Sequence, residues 1–64
     1  MIYPRENPTP LEGDRLQMHL YFDTMADFPQ LPRSDRRAAP GSDAYNVDTG
    51  DVYILNGLDV WEVQ

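Results

Sequence analysis

Residues 42–64 read SDAYNVDTGDVYILNGLDVWEVQ, two tight-turn signals set between short runs in which apolar and polar residues alternate. Runs of this length and alternation, bounded by Asp, Asn and Gly, are the signature of strands. Residues 44–47 are expected to form one strand, 48–51 a turn, 52–55 a second strand, 56–57 another turn and 59–63 a third strand. Asn56-Gly57 suits a type I′ hairpin, because both central residues need positive φ and Asn-Gly supplies it at least cost. Asp48-Thr49-Gly50 suits a type I turn with Gly50 in the left-handed position. The stretch therefore predicts a β-meander. Parity places Val52 and Ile54 on one face of its middle strand and Tyr53 and Leu55 on the other. Apolar residues on both parities fit a sheet covered on two sides, and a chain of 64 residues can hardly cover both.

Upstream of the meander, Leu16, Met18, Leu20 and Phe22 alternate with Gln17, His19 and Tyr21, the period of a half-buried strand. Asp23 or Thr24 is placed to cap one short helical turn across residues 25–28, which Pro29 would end. Residues 29–42, with Pro29, Pro32, Pro40 and three arginines, read as a connector. All six prolines fall between Pro4 and Pro40. Pro4, Pro8 and Pro10 remove backbone donors and push the residues before them into extended conformations. Residues 1–14 are accordingly expected to be an extended arm. Fully stretched, about 14 residues reach roughly 45 Å, enough to touch a neighbour. The fold class that results is all-β: a small antiparallel meander of three to four strands within residues 15–64, preceded by the arm.

Composition narrows the chemistry. A single small domain buries only about 60 % of its unfolded surface and is marginal without help. The chain has no cysteine and one histidine, His19, so disulfides and a Cys/His metal cluster are excluded and a partner is the remaining source of stability. No basic segment precedes an apolar run, and nothing approaches the roughly 20 apolar residues of a membrane span, so a soluble product of the cytoplasm is expected. A net charge of −6 with arginine as the only strong base argues against nucleic-acid backbone binding.

Asp48-Thr49-Gly50 matches the aspartic-protease tripeptide, in which two carboxylates share a proton. Only 14 residues follow Gly50, leaving no room for the flap and the later apolar-apolar-Gly element, so the turn is the better reading. Asp43, Asp48, Asp51 and Asp59 are hard-oxygen ligands in type, but they lack EF-hand spacing and suit local capping. His19 has no Ser or Cys nucleophile in a recognisable pattern. No catalytic residue, cofactor or metal is assigned. Arg33, Arg36 and Arg37 form the one basic cluster, suited to an acidic surface of a partner or to pairing with Asp35. Together with Tyr3 and Leu11 of the arm they are the expected partner contacts. Tyr53, Leu55, Trp61 and Val63 are expected in the core or a subunit interface, places where aromatics with polar tips concentrate.

The run from Gly41-Ser42 through Ala44-Tyr45, Asp48-Thr49-Gly50, Val52-Tyr53 and Asn56-Gly57 to Trp61 resembles a pattern in small structural proteins of tailed bacteriophages and prophages, and in the small β modules at the base of phage fibres. It covers about the last third of the chain. The resemblance implies a non-enzymatic virion component, a capsid decoration or minor capsid protein on the major capsid protein, often a homotrimer. A tail or fibre-base component is the nearest alternative. An acidic inhibitor of a host protein is a second class, permitted by the charge but disfavoured by carboxylates that sit mainly at turns rather than along one face.

Overall fold

In the computed structural model, which describes residues 1–64, the chain forms one five-stranded sheet in the order β1-β2-β3-β4-β5. The strands are β1 (Ile2–Pro10), β2 (Leu16–Phe22), β3 (Asp43–Asn46), β4 (Val52–Leu55) and β5 (Trp61–Val63). The fold is all-β, with only short 3-10 turns at Glu12–Asp14, Met25–Gln30 and Ser34–Arg36. No helix is long and apolar enough to cross a membrane.

Three sequence expectations change. The first concerns residues 1–14. Ile2–Pro10 does not project as an arm but pairs antiparallel with β2, from Ile2 opposite Phe22 to Pro10 opposite Leu16. The prolines permit this because β1 is an edge strand, where a missing donor costs no ladder bond if it points outward. They also break the ladder: the register shifts between Pro4 and Glu6 and again between Glu6 and Thr9. Prolines on an outer edge discourage a further strand from adding there.

The second change is direction. The sheet is mixed rather than purely antiparallel, because β2 and β3 run parallel, His19 opposite Asp43 through Phe22 opposite Asn46. A parallel pair needs a crossover, and residues 23–42 provide it without an α-helix. The connector folds across one face of the sheet and buries Leu31, Ala38 and Ala39 against it. Pro29 does not end the turn beginning at Met25; it lies inside it, and the turn closes with Leu31 N–H donating to Phe28 O at 3.2 Å.

The third is the β4–β5 connection. Leu55 pairs with Trp61, which leaves residues 56–60 as the loop instead of a two-residue Asn-Gly turn. Asn56 Oδ1 accepts the N–H groups of Leu58 and Val60 at 2.8 and 3.1 Å, and Asp59 rather than Gly57 takes the left-handed conformation, with φ 65°. The earlier turn forms as its sequence predicts: Gly50 has φ 82°, and its N–H donates to Asn46 O at 2.8 Å.

The core lies between the sheet and its connector. Leu20, Phe22, Ala44, Leu55 and Trp61 project from the sheet; Leu31 and Ala38 meet them, with Ile2, Met18, Phe28 and Tyr53 packed around. Phe22, Phe28 and Tyr53 form a triangle of rings 5.0 to 6.1 Å apart. Ala44, fully buried opposite Tyr53 in the register, leaves room for it. Three hydrogen bonds fasten the cover. The Trp61 indole N–H donates to Pro32 O at 3.0 Å. Buried Ser42 donates to Ala39 O at 2.7 Å and accepts Met18 N–H at 2.9 Å. Of the residues expected in the core or a subunit interface, Leu55 and Trp61 are buried in the core and Tyr53 is half-buried, while Val63 is 56 % exposed. It stands on the outermost strand, beyond the reach of the connector.

Candidate functional site

The face of the sheet turned away from the connector is covered by nothing in the chain. Register alone arranges it in transverse rows. Tyr3 stands opposite Tyr21, Tyr21 opposite Tyr45 and Tyr45 opposite Val52, so one row runs across four strands. The rings pack on each other, Tyr3 to Tyr21 at 5.5 Å with a 48° tilt and Tyr21 to Tyr45 at 5.8 Å edge to face at 79°. Such pairs hold each other's orientation beyond what simple area burial provides. Desolvation, and then the Asp23 carboxylate, raise the Tyr3 phenol above its ordinary value, so Tyr3 meets a partner as a neutral phenol at physiological pH.

The neighbouring row holds Glu6, His19, Asp43, Ile54 and Glu62. His19 Nδ1 lies 2.9 Å from Asp43 Oδ2 and 3.7 Å from Glu6 Oε1, and its Nε2 lies 3.4 Å from Thr9 Oγ1. Arg5 Nη2 donates to Asp43 Oδ1 at 2.6 Å. The order hydroxyl, imidazole, carboxylate is that of a hydrolytic triad. Here it lies flat on the sheet, and the one cavity of the molecule is elsewhere, among Pro29, Leu31, Arg33, Arg36 and Asp59. Lying across β1, β2 and β3, the cluster fastens the irregular edge strand to the parallel pair. Sequence reading missed it because Thr9 and Asp43 are 10 and 24 residues from His19. The signal that could have found it is His19 on the polar parity of a strand.

The remaining sequence candidates separate. Tyr3 is on the open face. Leu11, 43 % exposed, follows β1 at the far end of the sheet. Arg33, Arg36 and Arg37 belong to the connector, on the opposite side from Tyr3. Arg37, with φ 71°, turns the chain and donates to Asp14 O at 2.9 Å and Asp14 Oδ1 at 2.7 Å, while Arg33 and Arg36 line the cavity.

Asp48-Thr49-Gly50 is built as a turn: Asn46 Oδ1 accepts Asp48 N–H at 3.0 Å, and Thr49 Oγ1 donates to Asp51 Oδ2 at 3.0 Å. The four turn-associated aspartates do not gather around a point; no three His, Cys, Asp or Glu residues stand where they could hold a metal ion together.

No family model, curated protein or solved structure matches this chain. Geometry and sequence alone carry the functional argument.

Asp59 is one of two carboxylates, with Asp27, whose carboxyl the fold holds below its ordinary value. It accepts Ser34 N–H at 2.9 Å and the Ser34 hydroxyl at 2.8 Å. That backbone bond first, then the hydroxyl, with help from Arg33 and Arg15, hold its carboxyl below the ordinary value of 3.8. A carboxyl lowered by folding stabilises the native state above its unfolded pKa and loses that effect as pH falls through the folded one. Asp59→Asn is therefore expected to lower the urea midpoint at neutral pH. The difference from the parent chain should shrink once the pH is taken below 3.8; a difference unchanged at acid pH would mean that charge plays no part.

Proposed function

We propose that this chain is a non-enzymatic structural protein of a phage virion, a capsid decoration or minor capsid protein that attaches to the major capsid protein. The observation that supports attachment is the open sheet face. Tyr3, Tyr21, Tyr45, Val52 and Ile54 form an aromatic and aliphatic strip on it, flanked by the Arg5, Glu6, His19 and Asp43 cluster. Rigid tyrosines with a polar margin are the composition of interface cores and their rims. The virion assignment rests on the resemblance of residues 41–61. In this reading the connector gives the domain its own core, and the open face is left for a subunit of the particle or for further copies of the chain, a homotrimer being the favoured assembly.

The test uses purified particles and the isolated chain. The chain should be found by mass spectrometry in capsids freed of tails and should cosediment with them. Tyr45→Ser, which removes one ring of the row without touching the buried core, should reduce cosedimentation at least tenfold while leaving the circular dichroism spectrum unchanged. Presence only in tail fractions would move the protein to the tail or fibre base. Absence from every particle fraction would overturn the virion reading.

A further inference from the structure

Five arginines stand against eleven carboxylates in this chain, so each guanidinium has an abundance of possible partners. Three of them take one. Arg5 bonds Asp43, Arg15 bonds the carbonyl of Ala38, and Arg37 bonds Asp14. The other two, Arg33 and Arg36, bond no acceptor through their guanidinium groups, and both line the same surface cavity of about 200 Å³ together with Pro29, Gln30, Leu31, Asp35 and Asp59. Arg33 Nε is buried and has no hydrogen-bond partner.

The cavity's own carboxylates bond backbone and hydroxyl donors rather than these guanidinium groups. Asp35 Oδ1 accepts Arg33 N–H at 3.2 Å, and the two oxygens of Asp59 take the N–H and hydroxyl of Ser34. The 3-10 turn Ser34–Arg36 enforces the division. Arg37 at its end turns left-handed and sends its side chain to Asp14, which leaves Arg33 and Arg36 on the cavity. An unmatched guanidinium donor is unfavourable, and a fork of N–H donors fits two oxygens of one planar or tetrahedral anion.

We propose that this cavity binds an oxyanion, a carboxylate or a phosphate group, held by Arg33 and Arg36. The site is on the connector side of the molecule, away from the tyrosine face, and does not depend on the virion reading. Its occupant bonds the guanidinium N–H groups of Arg33 and Arg36, which bond no acceptor within the chain.

The experiment is a titration of the isolated, isotope-labelled chain with inorganic phosphate and, separately, with acetate, at constant ionic strength, following the Arg33 Nε–H resonance and the amides of residues 31–36. A saturable shift of these signals is expected with at least one of the two anions, and the one that saturates at lower concentration names the source. Arg36→Gln, at an exposed position, should weaken the binding at least tenfold with the rest of the spectrum unchanged, as should Arg33→Gln if it folds. Arg37→Gln removes the same charge outside the cavity and should leave binding as it was. Shifts that grow linearly without saturation, that sodium chloride reproduces, or that Arg37→Gln abolishes as fully as Arg36→Gln would overturn the proposal. None of these outcomes bears on attachment to particles, since no particle is present.

Discussion

Trp61→Ala is expected to leave the chain largely unfolded at 25 °C. Trp61 is 4 % exposed, projects from the last strand into the core, and bonds the Pro32 carbonyl at 3.0 Å. It thus holds both β5 and the connector. Truncating a buried tryptophan to alanine costs about 3–5 kcal/mol, and a single core in a domain of this size rarely supplies more than about 3–5 kcal/mol in total. The two magnitudes are equal, which is why one substitution suffices. Trp61→Phe separates the contributions: most of the apolar area stays, the indole bond is lost, and Pro32 O is left short of a partner, at a cost of about 1–2 kcal/mol. That variant should remain folded with a lowered urea midpoint. Circular dichroism and amide dispersion read both results, and a Trp61→Ala chain as stable as the parent would mean that the connector is held by other contacts.

Deleting residues 1–10 distinguishes a strand from an arm. An arm can be removed without thermodynamic consequence, whereas β1 supplies Ile2 to the core and covers the outer edge of β2. Burial of one large aliphatic side chain contributes about 1.5–3 kcal/mol. The deletion also removes Arg5, Glu6 and Thr9 from around His19 and Asp43, and exposes the unprotected β2 edge as a template for pairing. The expected result is a fall in stability of about 2–4 kcal/mol, together with concentration-dependent association in light scattering. Unchanged thermal unfolding and an unchanged monomer mass would show that β1 contributes nothing.

Much of the C-terminal half was legible because its information is local. The alternation in residues 44–47 and 52–55 and the left-handed requirement at Gly50 depend only on neighbours a few positions away, and the structure realises them. The β4–β5 turn was misread because Asn56-Gly57 satisfies a short-range rule. The loop instead answers to the pairing of Leu55 with Trp61 and to the reach of the Asn56 side chain over Leu58 and Val60. In the N-terminal third, the prolines point to an extended arm, and the extended conformation is right while the pairing is not legible. Proline bars only an inward-facing donor, and whether a strand lies at an edge is not a property of its own residues.

The sequence by itself determined that this is an all-β chain, where most of its strands and one of its turns fall, which parity of β2 carries the apolar residues, and that cysteine chemistry is absent. Only the tertiary structure decided that β2 and β3 run parallel, that the connector covers one face and leaves the other open, that Ile2–Pro10 closes the edge, and that His19 meets Thr9 and Asp43. It also decided that Arg33 and Arg36 share a cavity while Arg37 turns away. Alternation and turn chemistry are energies between residues close in sequence. Strand order, coverage and side-chain partnership come from contacts across 20 or more residues, as between Trp61 and Pro32 or Ser42 and Met18, and their energies exist only once the chain has closed those loops.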